Sequence, residues 1–407
     1  MAQHEKYKRK SRKGAIAMKY NFDQTLDHRY NHSYRWEQPE GRDDILGMGT
    51  ADLDYVCAPC VREATEAVAA ENTYNYRKKP AEYYEAVMSW FARRHNMEIK
   101  REWIRELPST IGTIRLALGA YCRHGDYVLM QTPYFGPIKN AIEGAGCHFI
   151  TNPMILKDGR YELDFEDFEE KIRKYRPSMF ILVSPQNPTG RVFTREELTR
   201  MVDICAKYDV KILSDEVHFL ITYDGHKHIP IMDISETARH ICIQLFSFSK
   251  GFNLMSLPFA MILIADEGLR KRWDDYLIPY DLHYATNSFS IAAITAIASG
   301  KGDEWLAEAN AYLQKNRDLF IQLAKEKNLP MTPLVPEASF LLWIDCRKSG
   351  IEPEKLGQVF LEKAGISLNN GLDHGEEGRG FIRLNFGVTE AVLREGVDRM
   401  EKMFRNA

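Results

Sequence analysis

No stretch of this chain is apolar for long enough to cross a membrane, and nothing near its start has the make-up of a secretory leader. It has no internal repeat and no low-complexity linker. Neither charge is in excess: 54 basic and 57 acidic residues leave a net charge of −3, which gives no reason to expect a nucleic-acid partner. Cysteine is sparse, seven residues spread over 407, an odd number that fits a reducing compartment and makes the cytoplasm the expected location. What is present is 44% hydrophobic and 27% charged residues, the composition of an ordinary soluble globular protein. The length suits two domains, or one large domain with a smaller appendage.

Three local features invite other readings. Residues 6–13 carry six basic side chains and no apolar face, the pattern of a solvated tail, so residues 1–18 are expected to be a disordered extension. Cys57-Ala58-Pro59-Cys60 has C-x-x-C spacing but no second pair, and reads as two small residues at a helix start with Pro59 in the first turn. Gly225-His226-Lys227-His228 lacks further ligands at metal spacing and reads as a polar loop, so no metal is expected.

Between about residue 59 and residue 265, short apolar runs alternate with helical patterns. Residues 126–131 (DYVLMQ), 179–183 (MFILV), 211–213 (KIL), 241–246 (ICIQLF) and 260–264 (AMILI) read as buried strands. A helix over 195–208 opens on Thr194 with Glu197 three residues on, a capping box. Strand–helix alternation with nearly continuous apolar strands predicts a mainly parallel sheet sandwiched by helices, with ligands at the carboxyl ends of its strands. From residue 296 the character changes: a long amphipathic helix over 304–327, strands near 340–344 and 381–385, a helix near 353–364 and a terminal helix predict a smaller α/β domain. The expected division is residues 19–55 joining the small domain, 56–295 as the large domain and 296–407 as the small one.

Three segments stand at expected strand ends: Ser184-Pro185-Gln186-Asn187-Pro188-Thr189-Gly190, Ser214-Asp215-Glu216-Val217-His218 and Ser247-Phe248-Ser249-Lys250-Gly251. Together they resemble the active site of fold-type I pyridoxal-phosphate (PLP) enzymes, the class I/II aminotransferase superfamily. The resemblance covers residues 20–405 and implies that fold, with PLP as cofactor. It implies that Lys250 carries the cofactor as a Schiff base and later serves as the Cα base, where a bland reading is a surface lysine. Asp215 would hold the protonated ring nitrogen, or else cap a helix. Asn187 and His218 would sit at the cofactor, Asn187 on its phenolic oxygen and at the substrate. Phe135 would stack on the ring, or simply fill core.

For the phosphate, Ser109-Thr110-Ile111-Gly112-Thr113-Ile114 precedes a helix and offers amides at its positive end, with Gly112, Thr113 and Ile114 taken as the binding residues, and Ser247 and Ser249 add hydroxyls. The superfamily's phosphate-binding arginine position, eight residues after the lysine, is Pro258. Tyr76 resembles the tyrosine that reaches the partner subunit's phosphate, which implies a homodimer with shared sites. Arg383 matches the clamp for a substrate α-carboxylate, with a structural salt bridge as the alternative.

A narrower resemblance rests on Asn21-Phe22-Asp23, Ser33-Tyr34-Arg35-Trp36 and Ala51-Asp52-Leu53-Asp54-Tyr55, with His218 where many aminotransferases carry tyrosine. These residues resemble the MalY/PatB-type cystathionine β-lyases, or C–S lyases, and imply α,β-elimination from an amino-acid substrate. Residues 28–31 (HRYN) and Gly49-Thr50 depart from that branch's pattern in a segment that lines the substrate pocket. Transamination stays open as an alternative, and a non-catalytic PLP-binding regulator as a further one.

Overall fold

The computed structural model describes residues 18–24, 26, 32–36, 42, 44–282 and 286–406. The basic run at 6–13, the expected extension up to residue 17 and the departure at 28–31 lie outside the described residues.

Seven strands form the main sheet: β1 (Ile104–Leu107), β2 (Tyr127–Thr132), β3 (His148–Pro153), β4 (Met179–Val183), β5 (Lys211–Asp215), β6 (Cys242–Phe246) and β7 (Ala260–Ile264). Their spatial order is β1-β7-β6-β5-β4-β2-β3. β2 through β6 run parallel, and only β7 is antiparallel to its neighbours β6 and β1. Every residue of β4, β6 and β7 is buried, which is why these strands read as unbroken apolar runs. The edge strands β1 and β3 carry no such run in the sequence; IREL and HFITNP each keep part of one face in solvent.

Helices cover the sheet. Those that position the site are α1 (Pro59–Ala70), α2 (Thr110–Tyr121), α3 (Gly136–Gly144), α4 (Arg195–Lys207) and α5 (Ser249–Phe252). The Thr194–Glu197 capping box at the start of α4 is formed in both directions. Pro59 is in the first turn of α1, with Cys57 half-buried and Cys60 buried, and all seven cysteines are free thiols. Among the described residues, no helix is long and apolar enough to cross a membrane.

A second, antiparallel sheet is built from β8 (Thr332–Pro333), β9 (Leu341–Asp345), β10 (Asn369–Asn370) and β11 (Phe381–Asn385) in the order β8-β9-β11-β10. The long α6 (Asp303–Glu326) and the terminal α7 (Glu390–Arg405) accompany it. The helix expected near 353–364 is broken into a 3-10 turn, one α turn and a wider π turn, Phe360–Ala364. The N-terminal segment ties these parts together. Phe22 sits among the rings of Tyr55, Trp305 and Tyr312 at 5.4–5.6 Å, and Leu46–Gly47 pairs in parallel with Ile366–Ser367. The architecture is α/β, a mainly parallel sheet between helices with a smaller antiparallel sheet beside it.

Candidate active site

Parallel strands in matched register end at one edge. Val183, Asp215 and Leu245 lie side by side in the ladder, and Ser184 N–H and Glu216 N–H extend it to Asp215 O at 2.9 Å and Leu245 O at 2.8 Å. The chain therefore delivers Asn187, His218 and Lys250 to the same rim, from three different strands.

Lys250 lies in α5, half-buried, and its Nζ donates to the carbonyl of Ala51. Burial pushes its pKa down to about 8; Asp52 opposes that shift, Arg383 adds to it and Asp215 opposes it. Asp52 is held by Arg35, whose Nη1 lies 3.1 Å from its Oδ1, while Asn385 Nδ2 fixes the backbone through Thr50 O at 2.6 Å and Asp52 O at 2.7 Å. Sequence reasoning met Asp52 only inside a borrowed motif and assigned it no part in the site.

Asp215 is 4% exposed, and among the described residues its carboxylate accepts only from Val217 N–H, at 3.3 Å. Burial raises its pKa to about 7. Lys250 acts on this carboxyl only at longer range, and among the described residues no cation is hydrogen-bonded to it, so it can take a cationic N–H. Its neighbour Glu216 is fully buried and takes donors from Ser214 Oγ (2.8 Å), Ile231 N (3.0 Å) and His228 Nε2 (2.8 Å). The run at 225–228 is thus not merely a polar loop: His228 is buried because Glu216 requires a donor there.

Arg383, on β11, is 5% exposed. It donates to Asn187 Oδ1 (3.1 Å), Asn369 Oδ1 (2.7 Å) and Gly49 O (3.3 Å), while Nε has no partner. No carboxylate is among these acceptors, and burial lowers its pKa to about 10. Among the described residues no salt bridge forms, and the buried guanidinium is held by neutral oxygens, an arrangement that can receive an anion. Phe135 lies beneath it, with the guanidinium carbon 5.9 Å from the ring centre. Asn369 carried no sequence signal, because nothing local marks which side of a two-residue strand faces the site.

The phosphate cradle needs a correction. α2 begins at Thr110, capped by Ser109, whose Oγ takes Gly112 N–H at 3.1 Å and whose O takes Thr113 N–H at 3.0 Å. Thr113 Oγ1 also turns back to Ser109 O at 2.6 Å, and Ile114 is fully buried in the core. Gly112, Thr113 and Ile114 therefore spend their groups inside the helix. In the first turn of α2 the amides without a partner among the described residues are those of Thr110 and Ile111, directly before Gly112. Ser247 Oγ lies 3.0 Å from Phe259 O and 2.9 Å from Ser249 Oγ, so the single Ser247 proton is spent within the protein and Ser249 is the hydroxyl left to donate. Tyr76 is 83% exposed on the loop before Ala81–His95, outside this cluster. Pro258 has no cation to offer, and its carbonyl takes Ser290 Oγ at 2.9 Å.

These residues fit PLP group by group. The unpaired buried carboxyl of Asp215 matches the protonated ring nitrogen, the Lys250 amine matches the aldehyde, and the open amides of Thr110 and Ile111 with Ser249 match a phosphate.

The family model for aminotransferase class I and II matches residues 43–400. Cystathionine beta-lyase PatB of Bacillus subtilis (strain 168) is 32% identical over 389 residues, 94% of this chain and 99% of PatB. Protein MalY of Escherichia coli (strain K12) is 29% identical over 387 residues, 93% of this chain and 97% of MalY. The crystal structure of the PLP-bound C-S lyase from Staphylococcus hominis with L-cycloserine superposes with a TM-score of 0.89 at 28% identity, covering 95% and 99% of the two chains. A half-buried lysine with a buried carboxyl and guanidinium on one sheet edge and these likenesses over nearly the whole length agree: the chain is a fold-type I PLP enzyme of the aminotransferase class I and II family, in the branch of PatB and MalY.

Proposed function

We propose that this enzyme is a carbon–sulfur β-lyase that converts L-cystathionine or a related cysteine S-conjugate to pyruvate, ammonia and a thiol. The observation that carries amino-acid recognition is Arg383: buried, without a carboxylate partner, and bonded to Asn187 on the same rim as Lys250. The likeness to PatB over nearly the full length supports elimination as the reaction.

Bound PLP supplies the electron sink that takes up the pair left when a proton is removed from the substrate Cα. Arg383 receives the α-carboxylate and fixes which Cα bond faces the cofactor plane. Lys250 would take the Cα proton on Nζ; its lowered pKa leaves a fraction of the amine neutral near pH 7. Asp215 keeps the proton on the ring nitrogen, and that contact in turn stabilises its own buried charge.

A second copy would complete the site. Tyr76, Tyr74 and Ile278 are 83%, 64% and 74% exposed, large side chains of the kind an interface covers, and Tyr76 would offer its hydroxyl to the partner's phosphate. Free thiols support a cytoplasmic setting. The large and small domains are taken as 56–295 and 296–407, with 19–55 joining the latter.

The test is to incubate the pure protein with L-cystathionine, first alone and then with a 2-oxo acid, and to assay pyruvate and free thiol. Thiol and pyruvate without the 2-oxo acid are expected. Turnover that requires the 2-oxo acid and releases no thiol would make the protein an aminotransferase, and a yellow but inert protein would make it a regulator.

A further inference from the structure

Ser339 occupies a position that no sequence motif marks. It is 1% exposed, and its backbone has φ of +71°, a left-handed conformation costly for any residue with a Cβ. The surroundings hold it there. Ser339 N–H reaches Ile221 O at 3.0 Å, and its carbonyl takes Tyr223 Oη at 2.5 Å. The preceding residues Glu337 and Ala338 both donate to Gly190 O, at 3.0 and 2.9 Å. Gly190 itself has φ of +71°, and a Cβ there would lie 2.5 Å from Pro336 Cβ, so only glycine allows this approach. The loop at 336–339 is thereby clamped to two cofactor-facing segments at once: the Asn187 turn, through Gly190, and the stretch that follows His218.

The hydroxyl held in this way lies 3.0 Å from Nδ1 of His218. His218 is 3% exposed, with the ring of Phe340 at 5.8 Å. The charged groups in reach are Lys250 from α5 and Arg383 from β11, with Asp215 three residues back on its own segment. Burial and the two cations push the imidazole pKa down to about 3, so the ring is neutral and carries one proton. Among the described residues Ser339 Oγ has no other hydrogen-bond partner, and a buried hydroxyl that fails to donate is costly. The hydroxyl proton therefore points at Nδ1, and the imidazole proton must be on Nε2. Nε2 has no protein partner among the described residues. Asn187 presents a similar group, because its Oδ1 is engaged by Arg383 and its Nδ2 is left to donate.

We infer that Ser339 is a positioning residue: its hydroxyl fixes the Nε2–H tautomer of His218 and directs that N–H, beside Asn187 Nδ2, at the phenolic oxygen of bound PLP. The inference rests on the cofactor placement given above. Two neutral donors on the phenolic oxygen draw off negative charge that would otherwise favour a proton on the nitrogen joining Lys250 to the cofactor. That nitrogen then loses its proton at lower pH.

The experiment is a pH titration of the visible absorbance of the resting holoenzyme, in the native protein and in Ser339→Gly, His218→Phe and the double variant. Glycine takes φ of +71° without strain, so Ser339→Gly removes the hydroxyl and relieves the backbone; Ser339→Ala is read in parallel. The absorbance midpoint should rise by about one unit in either Ser339 variant. It should rise at least as far in His218→Phe, and Ser339→Gly should add nothing further in that background. In the cofactor-free protein, nitrogen NMR should show His218 Nδ1 unprotonated, and mixed tautomers in Ser339→Gly. Unchanged midpoints in cofactor-bound Ser339 variants, or additive shifts in the double variant, would overturn the inference. A native protein with no visible band would instead overturn the cofactor placement, and the inference with it.

Discussion

Single groups at this site have pKa values that make sense only with their missing partners in mind. Asp215 has a pKa near 7 in the folded chain against an ordinary 3.8, so folding without cofactor binds a proton that the unfolded chain releases. Its effect on stability therefore falls as pH rises from about 4 to about 7 and stays low above that. Buried neutral histidines act in the opposite sense below pH 6.5: His95, His218 and His374 all have pKa values near 3. Comparison with Asp215→Asn isolates the carboxyl. Thermal melts of the cofactor-free proteins should show the variant gaining on the native chain between pH 5 and pH 8, by several degrees. With cofactor the order should reverse, because the native carboxylate then meets a cation. Equal melting behaviour at both pH values would place Asp215 away from the ring nitrogen. Arg383→Lys belongs to the same scale. An ammonium cannot span Asn187, Asn369 and a substrate carboxylate together, so kcat/KM should drop about a hundredfold or more while the visible band is kept. Steady-state kinetics beside an absorbance spectrum would check this.

At the scale of elements, the site depends on how closely α5 lies against the segment leaving β5. Gly251, directly after Lys250, faces Leu220: a Cβ there would come within 2.4 Å of Leu220 Cδ1 and 2.7 Å of its Cβ. The first atom can swing aside, but the second moves only with the backbone. Gly251→Ala should therefore push α5 away from the His218 segment while leaving the sheet intact. The expected result is native-like far-UV circular dichroism with cofactor affinity reduced at least several-fold, read by equilibrium dialysis. Unaltered cofactor affinity would show that α5 has slack at this contact. The same closeness explains part of what local pattern could and could not reveal. The capping box at Thr194 was legible because it is written in four consecutive residues. The phosphate cradle was legible only as a segment, Ser109 to Ile114: choosing among its amides required the phase of α2, which Ser109 caps.

Across the whole molecule, the proposed phosphate site is short of charge among the described residues of one chain. Pro258 stands where a guanidinium often serves, and the donors present are the amides of Thr110 and Ile111 and the hydroxyl of Ser249, all neutral. A hydroxyl from the exposed Tyr76 of a second copy then matters more. Sedimentation should give a dimer, and Tyr76→Phe should weaken PLP binding about ten- to a hundredfold, the cost of one hydrogen bond to a charged group. A monomer with full activity, or an unchanged cofactor titration in the variant, would mean the cradle is closed within a single chain.

What the sequence determined by itself was the existence and order along the chain of the buried strands, with ends within about two residues, and with them the convergence of Lys250, Asp215 and Asn187. Parallel strands with continuous apolar runs must finish at one edge, so residues just past three such runs must meet. Arg383 was named through the family resemblance, and the structure places it buried on β11. The tertiary structure alone decided the rest. Asn369, Asp52 and Ser339 reach the rim from the second sheet, the N-terminal segment and a clamped loop, all far along the chain from Lys250. Their side chains are set by long-range packing and by a positive φ that no local pattern encodes, because the energy that holds Ser339 in place comes from Ile221 and Tyr223, more than a hundred residues away.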